Sequence, residues 1–434
     1  MTSSVTENQT GPRLTDKEEL RRQVSEVVGV APVFDMHTHL FAPEFGRLGL
    51  SGIDELLTYH YLVAEMFRSA EASYDDFWRI SKTEQADLVW RTLFVENTPV
   101  SEAARGVVTV LDAFGLDTAA ADLTEAREFF RAQDAAAHLG RVLELAGVGD
   151  VVMTNDPFDE QEARVWEGGG AADVRFHAAL RLDGLLNDWE RTAGTLNARG
   201  YDVDKGVAGK TAAEVRRFLD VWIERMRPLY MAVSLPDDFD YPAEDARDHI
   251  IREVVLPTAR AHRLSFALMV GVRRGVNPAL RGAGDGLGRA QVSAVERLCA
   301  ENPDVRFLST FLSRENQHEL CVSARKFSNL MPFGCWWFLN NPSIIKEITR
   351  ERLELLGASF IAQHSDARVL EQLVYKWRHS RRVVAEALTE SYARLLESGR
   401  AVTRAEIERD AARLFDGNFR AWVGLAPQVE TRSN

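Results

Sequence analysis

From residue 151 onward the chain alternates between short apolar runs and longer stretches of helical spacing. The runs fall at 151–153, 174–182 (VRFHAALRL), 229–235 (LYMAVSL), 264–271 (LSFALMVG), 305–312 (VRFLSTFL), 329–338 (NLMPFGCWWF) and 358–362 (ASFIA). Runs this continuous read as strands buried on both faces, as in parallel sheets. Helical patterns separate most of them, at 211–227, 243–262, 290–301 and 342–356. An earlier run, 33–40 (VFDMHTHL), supplies one more strand ahead of these. Eight short strands alternating with helices predict an α/β fold, a parallel (β/α)8 barrel of the TIM type.

The alternation breaks once. Residues 41–149 separate the first strand from the second, and 53–69 and 74–96 carry the apolar spacing of packed helices. That is too long and too patterned for a loop, so a large helical insertion over the barrel mouth is expected. Upstream, residues 1–13 read as a disordered tail without the charged start and apolar core of a signal peptide. Thr15-x-x-Glu18 resembles a capping box opening a helix that ends near Gly29. From about residue 380 the pattern is helical again, with Thr403-x-x-Glu406 as a second capping box. The expected organisation is therefore a tail and helix at 1–30, strand one at 31–40 and the insertion at 41–149. The rest of the barrel follows at 150–380, and 381–434 forms a C-terminal helical extension packed on it.

Composition narrows the functional classes. The chain has 434 residues, 45% of them hydrophobic, enough for a large core. A net charge of −13 argues against nucleic acid or an anionic membrane as partner. A few local arginines could still hold a small anion. Cys299, Cys321 and Cys335 form no C-x-x-C spacing, which fits a reducing compartment rather than a disulfide framework. No apolar run reaches membrane-spanning length, so a cytoplasmic protein is expected, with homo-oligomerisation left open. The glycine-rich segment 282–288 neither follows a strand nor carries Lys-Ser/Thr, and reads as a flexible loop rather than a phosphate cradle.

In such barrels chemistry gathers at the carboxyl ends of the strands. His37 and His39 alternate with Thr38 in an extended segment and project to one face, as a pair of imidazole ligands for a divalent ion. The last strand is followed by Gln363-His364-Ser365-Asp366-Ala367-Arg368, and barrel closure makes it a neighbour of strand one. Asp366 is the natural third ligand of a site with an open position. Arg181 ends strand three, Arg314 follows strand six, and Trp336 and Trp337 end strand seven. Strand alternation would send Trp337 into the core.

Taken together, FDMHTHLF, LLTYHYLVAEM, MTNDPFD, FHAALRLD, LSRENQHE, FGCWWF and QHSDAR resemble the uronate (glucuronate) isomerases of the amidohydrolase superfamily. The resemblance implies interconversion of D-glucuronate with D-fructuronate and of D-galacturonate with D-tagaturonate, with one divalent ion, expected to be zinc. It implies metal-site roles for His37, His39 and Asp366, and a His60–Tyr61 pair reaching into the site. It also implies a substrate shell of Arg181, Arg368 and Trp336, with Arg314 a further candidate. Asp366, Tyr61 and Arg368 would carry the proton transfers and the oxyanion. Read from the residues alone, His60 and Tyr61 would be packing positions of the insertion, and Arg314 an ion-pair partner. Two-metal hydrolases of the superfamily commonly carry a lysine or acid after strand four and histidines after strands five and six. Here those places hold Ser234-Leu235-Pro236, Met269-Val270-Gly271 and Ser309-Thr310, with His318 too far on. One metal is therefore expected. The competing expectation is a mononuclear metal-dependent hydrolase or decarboxylase.

Overall fold

Seven parallel strands, arranged in sequence order, form the wall of the molecule. They are β1 (Val33–Thr38), β2 (Val148–Asn155), β3 (Phe176–Arg181), β4 (Tyr230–Pro236), β5 (Ser265–Arg273), β6 (Phe307–Phe311) and β7 (Leu330–Pro332). This computed structural model describes residues 11–426, so most of the expected N-terminal tail lies outside the described residues. All of β1 and all but the last residue of β5 are buried, because side chains inside the ring and helices outside cover both faces.

The eighth position is the departure. Residues 358–362 were expected to form a strand, but only one bridge forms there, between Phe333 and Ile361. Closure is nevertheless made through the backbone. Gly334 N–H donates to Ile361 O at 3.0 Å, Asp366 N–H to His37 O at 3.1 Å, and His39 N–H to Ala367 O at 2.7 Å. Side chains replace the missing ladder: Gln363 Oε1 accepts from the Cys335 and His364 amides at 2.6 and 3.0 Å.

Strand seven is correspondingly short, three residues instead of the expected 329–338. Pro332 has no N–H to donate. Gly334 then turns to φ +57, where a Cβ would stand 1.8 Å from His364 Nδ1. Only glycine serves both needs. The tryptophans lie beyond the strand, so alternation does not govern them.

The insertion is helical as expected, with Ile53–Leu57, His60–Met66, Tyr74–Arg79, Lys82–Trp90, Glu102–Ala113, Thr124–Arg131 and Ala135–Ala146. It has a core of its own around Leu57, Val63, Phe77, Val89 and Leu111. The segment after β5 is tied down rather than free. Gly286–Leu287 pairs antiparallel with β5, and Trp78 of the insertion donates to Ala279 O at 2.9 Å.

Three further expectations shift. Arg13–Leu14, placed at the edge of the tail, pairs with Val402–Thr403. The helix Lys17–Val30 is capped by Asp16, whose carboxylate accepts from Glu19 N–H at 2.8 Å, rather than by Thr15. The long helix Gln372–Glu397 starts well before residue 380. The Thr403–Glu406 capping box forms as read.

One buried carboxylate joins these parts. Asp35 of β1 accepts from the Ser365 amide at 3.0 Å and from the Trp377 indole at 2.8 Å. Burial pushes its pKa up to about 6, against the pull of those two donors. Asp35→Ala would strand both donors, each at a cost of about 1–3 kcal/mol. Urea unfolding should show a loss of about 2–6 kcal/mol. An unchanged midpoint would show that Asp35 does not hold this junction.

Candidate active site

His37 Nε2, His39 Nε2 and one Asp366 oxygen all lie within 4.8 Å of one another. Asp366 Oδ1 stands 3.8 Å from His37 Nε2 and 3.5 Å from His39 Nε2. Among the described residues this is the one such His/Cys/Asp/Glu group. His318 lies elsewhere, its ring exposed near Glu351.

The hydrogen bonds behind the histidines decide which nitrogens face the centre. Tyr230 OH donates to Met36 O at 2.6 Å, so it can only accept from His37 Nδ1, 3.1 Å away. Thr154 OH donates to Thr38 O at 2.9 Å, and it accepts from His39 Nδ1, also at 2.9 Å. Each imidazole therefore carries its proton on Nδ1 and turns a bare Nε2 lone pair inward. Three electron-pair donors thus converge where no protein hydrogen links them, and Asp366 Oδ1 has no hydrogen-bond partner in the protein. Such a set fits a divalent cation. Burial keeps His37 well below the ordinary imidazole pKa, hence neutral and ligand-ready.

Backbone strain accompanies the chemistry. Asp366 sits at φ +52, a left-handed conformation that aspartate tolerates better than most residues. His364, fully buried, lies edge-on to His37 with ring centroids 5.5 Å apart and neither nitrogen partnered in the protein.

Around this group the structure gathers most of the expected residues. Arg368 Nη1 donates to His39 O at 3.2 Å, holding the guanidinium at the seam between β1 and the closing segment. Arg181 is clasped by Asp183, through Nε at 3.2 Å and Nη2 at 3.1 Å, and its charge reaches His37. His60 and Tyr61 open the helix His60–Met66, close enough for the Asp366 charge to act on both. His60 Nε2 and Tyr61 Oη are buried without a protein partner. Burial lowers His60 to about 4 and raises Tyr61 well above an ordinary phenol, so both are neutral at neutral pH.

Two residues depart from expectation. Arg314 pairs instead with Glu347: Ser313 caps a short turn at Arg314–Asn316, and the arginine, more than half exposed, forms a fork with that carboxylate at 3.0 Å. Trp337, expected in the core, sits at φ +47 with its ring 5.5 Å from His60, while Trp336 is the more deeply buried of the two. Residues that the sequence reading passed over are Tyr230, Thr154 and Lys376. Tyr230 and Thr154 lie in buried strands and Lys376 in a helix rich in polar residues, and none of them shows its partner in local sequence.

Fold and site together define an α/β-barrel enzyme with a His-His-Asp group able to hold a metal ion. No family model and no curated protein matches the chain. Among solved structures it is similar to a uronate isomerase from Bacillus halodurans, with 54% identity over 95% of this chain and 98% of that one, and a TM-score of 0.93. The chain belongs to the uronate isomerase family. More distant folds agree: a glucuronate isomerase from Caulobacter crescentus has 16% identity over 98% of both chains and a TM-score of 0.76. A uronate isomerase from Thermotoga maritima has 15% identity over 95% of this chain and all of that one, with a TM-score of 0.75.

The locked tautomers can be tested without turnover. Tyr230→Phe and Thr154→Val each remove the acceptor behind one histidine, and metal affinity should fall about 10–100-fold, the usual penalty for losing such support. Chelator competition would measure it, with His37→Ala expected to abolish tight binding of a single equivalent. Unaltered affinity in both supporting variants would contradict the lock.

Proposed function

We propose that this chain interconverts D-glucuronate with D-fructuronate and D-galacturonate with D-tagaturonate. The proton on C2 moves to C1 through an enediol. One observation carries the reading: the two protonic groups that this route needs, Asp366 and Tyr61, are buried together, each with an oxygen lacking a protein partner. His37, His39 and Asp366 would hold one divalent ion, and two imidazoles with a carboxylate suit zinc. When bound, it would supply Lewis-acid charge to a substrate oxygen.

The chain's own groups then divide the work. Asp366 takes the C2 proton and delivers it to C1, so one C–H bond breaks and another forms on the same carboxylate. Tyr61, protonated because burial raises its pKa, gives a proton to O1, and the phenolate so formed takes the proton from O2, which restores the phenol. Arg368, steadied by His39 O, faces the enediolate oxygen, and Arg181, steadied by Asp183, offers charge to the substrate carboxylate. His60 and Trp336 shape the space around the sugar chain. Three free, buried cysteines accord with a cytoplasmic setting.

A proton NMR time course of the metal-loaded protein with each uronate should show the ketouronate forming without a redox cofactor. No turnover of either would overturn the assignment. Asp366→Asn should abolish turnover even with excess metal, substrate deuterated at C2 should show a primary isotope effect if that step limits turnover, and turnover in heavy water should place solvent label at C1 of the product. Transfer of deuterium with no solvent exchange under any condition would point to a hydride shift instead. Tyr61→Phe should keep metal and fold yet slow turnover by roughly 10²–10⁴, the range for a general acid–base group. Near-normal rates would return Tyr61 to a packing role.

A further inference from the structure

A recess of about 170 Å³ opens beside Tyr61, with Trp337, Asn340 and Lys376 among its walls. Its chemistry is one-sided. Tyr61 Oη, Trp337 Nε1, Asn340 Nδ2 and Lys376 Nζ are all buried, and none has a hydrogen-bond partner in the protein. Each is a group that donates hydrogen. The carboxylate in the same wall, Glu102, is already engaged by Arg105 and His379. A space lined by unmatched donors calls for a ligand rich in acceptors.

Lys376 is the informative member. It lies on the buried face of the helix Gln372–Glu397, only 4% exposed, with its ammonium 5.4 Å from the centre of the Tyr61 ring. A lysine this deep is rare without a counter-charge. Burial lowers its pKa, while the Asp366, Asp35 and Glu102 carboxylates pull the other way. None of these carboxylates hydrogen-bonds it, since Nζ has no such partner. Tyr61 itself lines the recess, and its neighbour His60 has its ring 5.5 Å from that of Trp337 in the same wall.

We infer that Lys376, with Asn340 and Trp337, forms an oxyanion recess for the reacting end of an open-chain sugar acid, beside the Tyr61 hydroxyl. This rests on the isomerase reading and deepens it. The aldehyde end of a hexuronate is neutral in the ground state and gains negative charge at its oxygens as C2 loses its proton. Donors held ready there act on the transition state more than on the bound substrate. The arrangement also explains why the cation sits against the Tyr61 ring rather than on a carboxylate. A permanent partner would already have neutralised it.

The test uses the metal-loaded protein and two unreactive sugar acids. L-Gulonate, which keeps the carboxylate of glucuronate, ends in a neutral hydroxymethyl group at the reacting carbon, where D-glucarate carries a second carboxylate. By calorimetry the wild-type protein should bind D-glucarate at least 10-fold more tightly, the preference expected of a charge-assisted contact. In Lys376→Met that preference should vanish, with L-gulonate affinity and metal content unchanged. Turnover of hexuronate should show kcat reduced roughly 10- to 100-fold and KM nearly constant, as for a lost oxyanion donor. Lys376→Arg should restore part of kcat. A preference that survives Lys376→Met, or equal losses for both acids, would overturn the inference. If the methionine variant fails to fold, Asn340→Leu at its half-buried position carries the same comparison. The two readings can fail separately: Lys376-dependent selectivity without isomerisation would leave the recess and remove the reaction. Isomerisation indifferent to Lys376 would do the reverse.

Discussion

Everything in this site hangs from one buried carboxylate that has no part in the proposed chemistry. Asp35 lies in the interior of β1, two residues before the first histidine, and ties that strand to the Ser365 amide and the Trp377 indole. The first bond sets the segment that carries Asp366. The second anchors the helix that carries Lys376. The closing segment and the helix that follows it, both distant from β1 in sequence, are thus registered against that strand by a pair of hydrogen bonds shielded from water. Burial makes the charged form of Asp35 costly, and its two donors are what offset that cost.

Outside that junction the site is built by restricting what each side chain can do. Tyr230 and Thr154 each donate their one hydroxyl hydrogen to the backbone and thereby fix a histidine tautomer from behind. Asp183 fixes Arg181, and His39 O fixes Arg368. Inward-facing atoms are left without protein partners while the outward-facing ones are satisfied. This is preorganisation in physical terms, since the cost of aligning the groups is met during folding rather than during reaction.

Much of this was legible in the sequence, and the limits have physical causes. His37, His39 and Asp366 could be read because period-two projection and ring closure follow from local pattern and topology alone. His60 and Tyr61 could not be read from pattern, since a helix start in a distant insertion carries no sign of what it will face. Only resemblance drew them in. The seventh and eighth strands were over-read because Pro332 and Gly334 break the ladder inside an otherwise apolar run. The same break misplaced Trp337, whose positive φ turns it beside His60. Arg314 is engaged in a surface fork with Glu347, a partner 33 residues on that no local pattern announces. Lys376 was passed over because an isolated lysine in a helix ordinarily lies in water.

The irregular eighth position has a topological consequence. A barrel whose last wall is held by side-chain and single backbone bonds has a seam, and here the seam runs between His37–His39 on one lip and Asp366 on the other. A cation bridging those lips would be a clasp as well as a reagent, joining the first and last elements of the ring. The polypeptide between them would become one closed loop, whose ends could no longer drift apart when the wall breathes. Loading and closure would then be a single event, with the place where ligands arrive also the place where the barrel is fastened.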